Sequence, residues 1–258
     1  MWRAAAFALI LLALPLTALG QTAPAQEPSA VETTEGGQVV TAEVLAAFKR
    51  LVARGEARPL FGLPEDAFWR RQGDLTVALL AGEAESLRAV YQGAAAPFAA
   101  ATGLPIELIE SGPLPAAGDD VAAFAPEADL VIVVGPRERL AQLATGSGIN
   151  RGMLARFEIG TWPFMFSFTA DGRRRGVVLL ADDEPERARE ASFILATVWG
   201  LGAVTLGPEL TGLVADAEEG PMLTPLGGAV FGLFFHPDLE VGMPLADAVR
   251  RAETLLPQ

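Results

Sequence analysis

The chain is predicted to be an α+β protein built on a mixed sheet packed with helices, and three observations lead there. Apolar runs of strand length stand at residues 75–79, 105–110, 129–134 and 164–181, each bounded by Gly, Pro, Asn or Asp. Helix-patterned stretches of ten or more residues lie between and after them. Strands and helices follow one another without strict strand-helix-strand repetition, which favours a mixed sheet over an all-parallel one.

The elements follow in order. Thr41 is a candidate N-cap, Val44, Phe48, Leu51 and Val52 share one helical face, and Gly55 ends the first helix. Leu75, Val77 and Leu79 alternate as a strand. A helix over Glu83–Ala101 puts Leu87, Tyr91, Ala95 and Phe98 on one stripe and stops at Thr102-Gly103. Pro105–Glu110 reads as a second strand, 112–126 as a long loop rich in Pro, Gly and Ala, and Asp129–Val134 as a third strand. The continuous Leu-Val-Ile-Val-Val of that strand implies cover on both faces. Phe164, Phe166 and Phe168 alternate with Met165 and Ser167, Asp171-Gly172 signals a tight turn, and Val177–Ala181 returns, which predicts a hairpin. A helix over Pro185–Trp199 begins charged and becomes apolar. Two more helices begin at Thr224-Pro225 and at Pro244, the last turning Leu245, Val249, Ala252 and Leu255 inward.

Arg3, the apolar run Ala4–Leu14 and the break at Pro15 have the form of an export signal, with small residues offering cleavage after Gly20 or Ala25. The expected layout is a signal peptide over 1–25, a disordered linker over 26–38 and one α+β domain over 39–258. An alternative divides that domain into lobes 39–146 and 157–258. The expected location is periplasmic or secreted. The chain has no cysteine, so neither lipid attachment nor a disulfide is available. There are 19 basic and 32 acidic residues; the leader holds one of the basic ones, which leaves 18 against 32 and a net charge of −14. Nucleic acid and anionic lipid surfaces repel such a chain. The uncharged stretch Ala191–Pro208 is interrupted by Gly200, Gly202 and Gly207, so it reads as a buried helix running into a loop rather than a stable membrane span.

The chemical inventory excludes more than it offers. His236 is the only histidine and precedes Pro237 at a helix end, so a Ser-His-Asp triad lacks its base and its Gly-x-Ser-x-Gly elbow. It is expected to act as a cation on the terminal carbonyls of that helix. Cysteine nucleophiles are impossible, tetrahedral zinc cannot be built from one imidazole, and Lys49, the only lysine, lies on a surface-patterned helix. Gly146, Gly148 and Gly152 lack the strand context of a phosphate cradle and read as a flexible loop. Gly228 and Gly232 read as an intramolecular packing face, and Arg173, Arg174 and Arg175 as a solvated hairpin tip. Carboxylate candidates are Glu107 with Glu110, and Asp182, Asp183 and Glu184, the last three able in principle to hold a hard cation. No residue is assigned a catalytic, cofactor-binding or metal-binding role, and no cofactor is implied.

The C-terminal half carries a pattern: a strand pair ending Val-Val-Leu-Leu-Ala, a helix running into Trp199-Gly200-Leu201, then Leu223-Thr224-Pro225, an aromatic helix, and His236-Pro237-Asp238-Leu239-x-x-Gly242-Met243-Pro244. It resembles a family of secreted bacterial proteins of uncharacterised function whose layout is similar to zincin-type metallopeptidases. The resemblance implies a zincin-like C-terminal half. It also implies a lost site, because Phe193, Ile194 and Thr197 stand where the family carries Glu, Glu and Gln. An apolar helix face can neither activate water nor hold a metal. The expected function is a non-catalytic domain binding an envelope protein or peptide. The alternatives are an exported carboxylate- or cation-dependent hydrolase and a small-ligand-binding periplasmic protein. Exposure of Phe231, Phe234 and Phe235 would mark that aromatic helix as an interaction face.

Overall fold

Strand alternation sorts the side chains of one sheet between two cores. The computed structural model describes residues 40–53, 66–149, 163–170, 173–203, 210–217 and 220–257. The predicted signal peptide and linker, Gly152 and the Asp171-Gly172 turn lie outside them. Strands β1 (Leu75–Ala81), β2 (Ile106–Gly112), β3 (Leu130–Gly135), β4 (Phe164–Ala170) and β5 (Arg173–Ala181) form one sheet in the order β2-β1-β3-β5-β4. The first three and β5 run parallel, and β4 joins the edge as the antiparallel partner of β5. The mixed sheet packed with helices is thus present, and so is the predicted hairpin, with Phe166 opposite Val177. The parallel pairing of β3 with β5 was not legible, because chain separation rather than a tight turn brings them together. It joins strands from both sides of residues 146–156 into one sheet.

One face carries Leu75, Val77, Leu79, Leu130, Ile132, Val134, Val178 and Leu180, the other Ala78, Leu80, Val131, Val133, Val177 and Leu179. The first face is covered by α2 (Ala84–Thr102) and α4 (Glu186–Gly200), with α5 (Pro225–Phe234) packed on α2, and α1 (Thr41–Val52) and α6 (Leu245–Leu255) beyond it in the same core. The second is covered by α3 (Arg137–Gly146) and by the 113–128 stretch with its short 3-10 turn Val121–Ala123. A strand with helix on one side and packed loop on the other must be apolar throughout, as β3 is. A further hairpin of β6 (Val214–Ala217) and β7 (Gly220–Leu223) stands apart from the sheet.

The aromatic helix is interior. Phe231, Phe234 and Phe235 are buried, with Phe231 edge-on to Phe98 at 5.1 Å and Phe234 edge-on to Phe68 at 5.3 Å. Gly232 permits this approach, since a Cβ there would lie 3.3 Å from the Ala101 carbonyl oxygen. The intramolecular packing reading holds for that glycine and not for Gly228, where a Cβ would meet nothing within 4 Å. On α6 the buried positions are Ala248 and Ala252, flanked by half-buried Leu245, Val249 and Leu255. No helix among the described residues is long and apolar enough to cross a membrane.

Candidate functional site

The segment before β1 carries Trp69, Arg70, Arg71 and Gln72, and backbone hydrogen bonds strap it down. Phe68 N–H donates to the Met243 carbonyl (2.8 Å), Gly242 N–H to the Phe68 carbonyl (2.9 Å), and Arg71 N–H to the Leu201 carbonyl (3.0 Å). The Gly242-Met243 pair of the C-terminal motif thus works as a backbone clamp. The rest of that motif is a socket: Arg70 donates to the carbonyls of Phe235 (3.1 Å), His236 (3.3 Å) and Leu239 (3.1 Å), the C-cap of α5 and the turn beyond it. The Arg70 guanidinium also lies 5.2 Å from the Phe235 ring centre. Arg70, not His236, is therefore the cation that answers the C-terminal carbonyls of α5. Nδ1 of His236 instead accepts a hydrogen bond from Asp238 N–H (3.2 Å).

The strap borders a cleft of about 500 Å³ at the amino ends of β1, β3 and β5. Trp69, Arg70, Arg71 and Gln72 form one wall. Asp129, Leu130, Arg175, Gly176 and Ser167 come from the sheet, and Trp199, Gly200, Gly202 and Val241 close the far side. Its volume falls within the range of small-ligand sites. Glycines let the indoles come close: a Cβ on Gly176 would sit 2.5 Å from Trp199 Cζ3, and one on Gly202 would sit 2.3 Å from Trp69 Cζ3. Gly202 also has φ +91°, a left-handed conformation that a side chain would strain.

Asp129 is the cleft's buried carboxylate. It forms an ion pair with Arg71 and accepts from Thr76 Oγ1 (2.6 Å) and Thr76 N–H (3.1 Å). Burial pushes its carboxyl up, but the hydrogen bonds from Arg71 and Thr76 outweigh burial and hold it below the usual carboxylate range. A carboxylate so stabilised is a weak base. Arg71 Nε donates to the Asp74 carbonyl (2.7 Å), and its Nη1 has no partner among the described residues. Burial lowers the Arg70 guanidinium from its ordinary value, and no carboxylate pairs with it among the described residues.

Arg175 corrects the reading of the Arg173–Arg175 run as a solvated tip. It is 4% exposed, and it donates to the carbonyls of Ala128 (2.7 Å), Phe124 (3.2 Å) and Ala125. Ala125 is the one non-glycine residue with positive φ, 45°, among the described residues, so the guanidinium organises a turn that the backbone alone disfavours. Composition missed this because an arginine three residues after a turn signal carries no mark of burial.

The other candidates fall elsewhere. Glu107 and Glu110 are exposed on edge strand β2, where charge blunts the open edge. Asp183 accepts from Arg137 Nε through both oxygens (3.0 and 2.9 Å), which holds its carboxyl down, while burial raises that of Glu184. Among the described residues no group of three acidic or histidine side chains gathers to hold a metal. Phe193, Ile194 and Thr197 are buried on the inner face of α4, Phe193 edge-on to Tyr91 at 5.6 Å. Gly146 is a close-packing site rather than a flexible loop, since a Cβ there would meet the Gly118 and Asp119 carbonyls at 2.5 Å; Gly148 at φ +82° ends α3. Lys49 lies in the last turn of α1. Compared with known proteins, the chain matches no protein-family model, no curated protein and no solved structure.

Proposed function

We propose that the chain is an exported, non-catalytic binding domain, and that its ligand site is the arginine and tryptophan cleft, taking a peptide segment of an envelope protein. The observation that carries the reading is the chemistry of the cleft walls. They offer guanidinium, amide, hydroxyl and indole groups around about 500 Å³, while the one described carboxylate is committed to Arg71 and Thr76. Such walls bind, and they lack a base poised to take a proton. The leader of residues 1–25 supports export, and the apolar inner face of α4 supports a zincin-like scaffold that has lost its site. The test is a photo-crosslinking residue placed at exposed Gln72, with exposed Met222 as the control outside the cleft. A single envelope protein joined through one peptide segment at position 72 and not at 222 is the expected result. Equal labelling from both positions would remove the cleft from the account.

A further inference from the structure

We infer that the cleft recognises a carboxylate carried beside an apolar group, the chemistry of a peptide's C-terminal residue. The inference rests on the binding reading above and adds what the site selects for. Three arginines and one aspartate line the cleft, so the described walls carry two net positive charges, on a chain whose formal charge is −13. Distant acids are screened beyond about 8 Å at physiological ionic strength, so a ligand inside the cleft feels the local charge.

Two of these charges have different standing. Arg70 is part-buried and answered, among the described residues, by carbonyl oxygens at the negative end of α5 and by the Phe235 ring, with the helix end compensating about half a charge. Arg71 is neutralised by Asp129 yet keeps one Nη unspent among the described residues. An entering carboxylate therefore meets a partly compensated cation and an available guanidinium donor, with the Gln72 side-chain amide at the same wall. The backbone of an internal segment brings no charge to either, and an internal Asp or Glu brings its carboxylate without an apolar side chain on the same residue. The apolar part of the ligand is met by half-buried Trp69 and Val241, which suits a terminal aliphatic or aromatic side chain.

Isothermal titration calorimetry of the purified protein with N-acetyl-Ala-Ala-Phe free acid, its C-terminal amide, and phenylacetate tests this. The free acid is expected to bind at least tenfold more tightly than the amide, and more weakly as salt is raised. Phenylacetate binding as tightly as the peptide acid would keep the carboxylate and make a small aromatic acid its source. Equal affinity for acid and amide would overturn the inference while leaving the binding reading intact; heat from none of the three would overturn both. Arg71→Lys retains a cation for Asp129 and takes away the planar guanidinium fork, and Gln72→Ala alters an exposed side chain. Gln72→Ala is expected to keep the wild-type melting temperature and Arg71→Lys to stay within a few degrees of it, having lost the bond to the Asp74 carbonyl; both are expected to lose at least fivefold in affinity for the free acid. Unchanged affinity in both would remove this wall from recognition.

Discussion

Asp129 and Tyr91 are both buried polar groups, and they predict opposite outcomes. Asp129 is satisfied, so Asp129→Asn strands the Arg71 charge; a loss of about 3 kcal/mol is expected, read as a lower midpoint in urea. The pH dependence has a definite sign. Because the folded carboxyl titrates below its unfolded value of about 3.9, its contribution is present above that value and disappears as pH falls through the lower folded one. Wild type should therefore lose its advantage over Asp129→Asn in acid, and a constant difference from pH 7 to 2 would contradict the ion pair. The Tyr91 hydroxyl, by contrast, is buried with no hydrogen-bond partner among the described residues. Burial pushes its phenol above the ordinary value. Tyr91→Phe removes an unsatisfied group and keeps the ring against Phe193, so it should stabilise by about 1 kcal/mol; a lower melting temperature would reveal a partner for the hydroxyl. Neither role could be read beforehand: an Asp beginning an apolar strand and a Tyr on a helical stripe look the same whether or not their polar atoms are met.

Periodicity carried the helices named from the sequence, and one cap reading of two stood: Thr41, read as the N-cap of α1, is its first residue and donates to the Pro257 carbonyl (3.1 Å), while Val40 caps the helix. Thr224 before Pro225 marked α5, and its hydroxyl accepts from Gly227 N–H (2.9 Å) while donating to the Gly212 carbonyl (2.8 Å). Thr224→Ala should cost about 1 kcal/mol, with the loss seen as faster hydrogen exchange at Gly227 and Gly228. The hairpin β6-β7 went unread because its strands are four residues each, too short for alternation to register. The cleft was unread for a different reason. Its walls come from residues 69–72, 129–130, 167, 175–176, 199–202 and 241, which no local spacing connects. The C-terminal motif was legible as a pattern but not as a device: its carbonyls hold Arg70 and its Gly242-Met243 backbone holds Phe68. Both jobs belong to main-chain atoms, on which side-chain identity is silent.

The mixed sheet was legible from its apolar runs, whereas the strand order and the site at its amino edge depend on contacts between distant segments. The acids follow the same logic. Thirty-two of them invite a cation, yet Asp183 is held by Arg137 and no triad of acids gathers among the described residues. Adding EDTA should leave the melting curve unchanged, and a fall of several degrees would restore a hard cation to the account. The pairing of β3 with β5 has a kinetic side. Leu130–Gly135 is wholly buried, and its partner strand is complete only at Ala181, more than forty residues on. A chain that emerges amino end first therefore exposes one unpaired apolar edge until Val177–Ala181 follows, and loop closure must precede the contacts that reward it. Ending the chain after Gly146 makes that interval permanent: the fragment should aggregate at micromolar concentration, with refolding of the whole protein slowest at the step that seats β5 against β3.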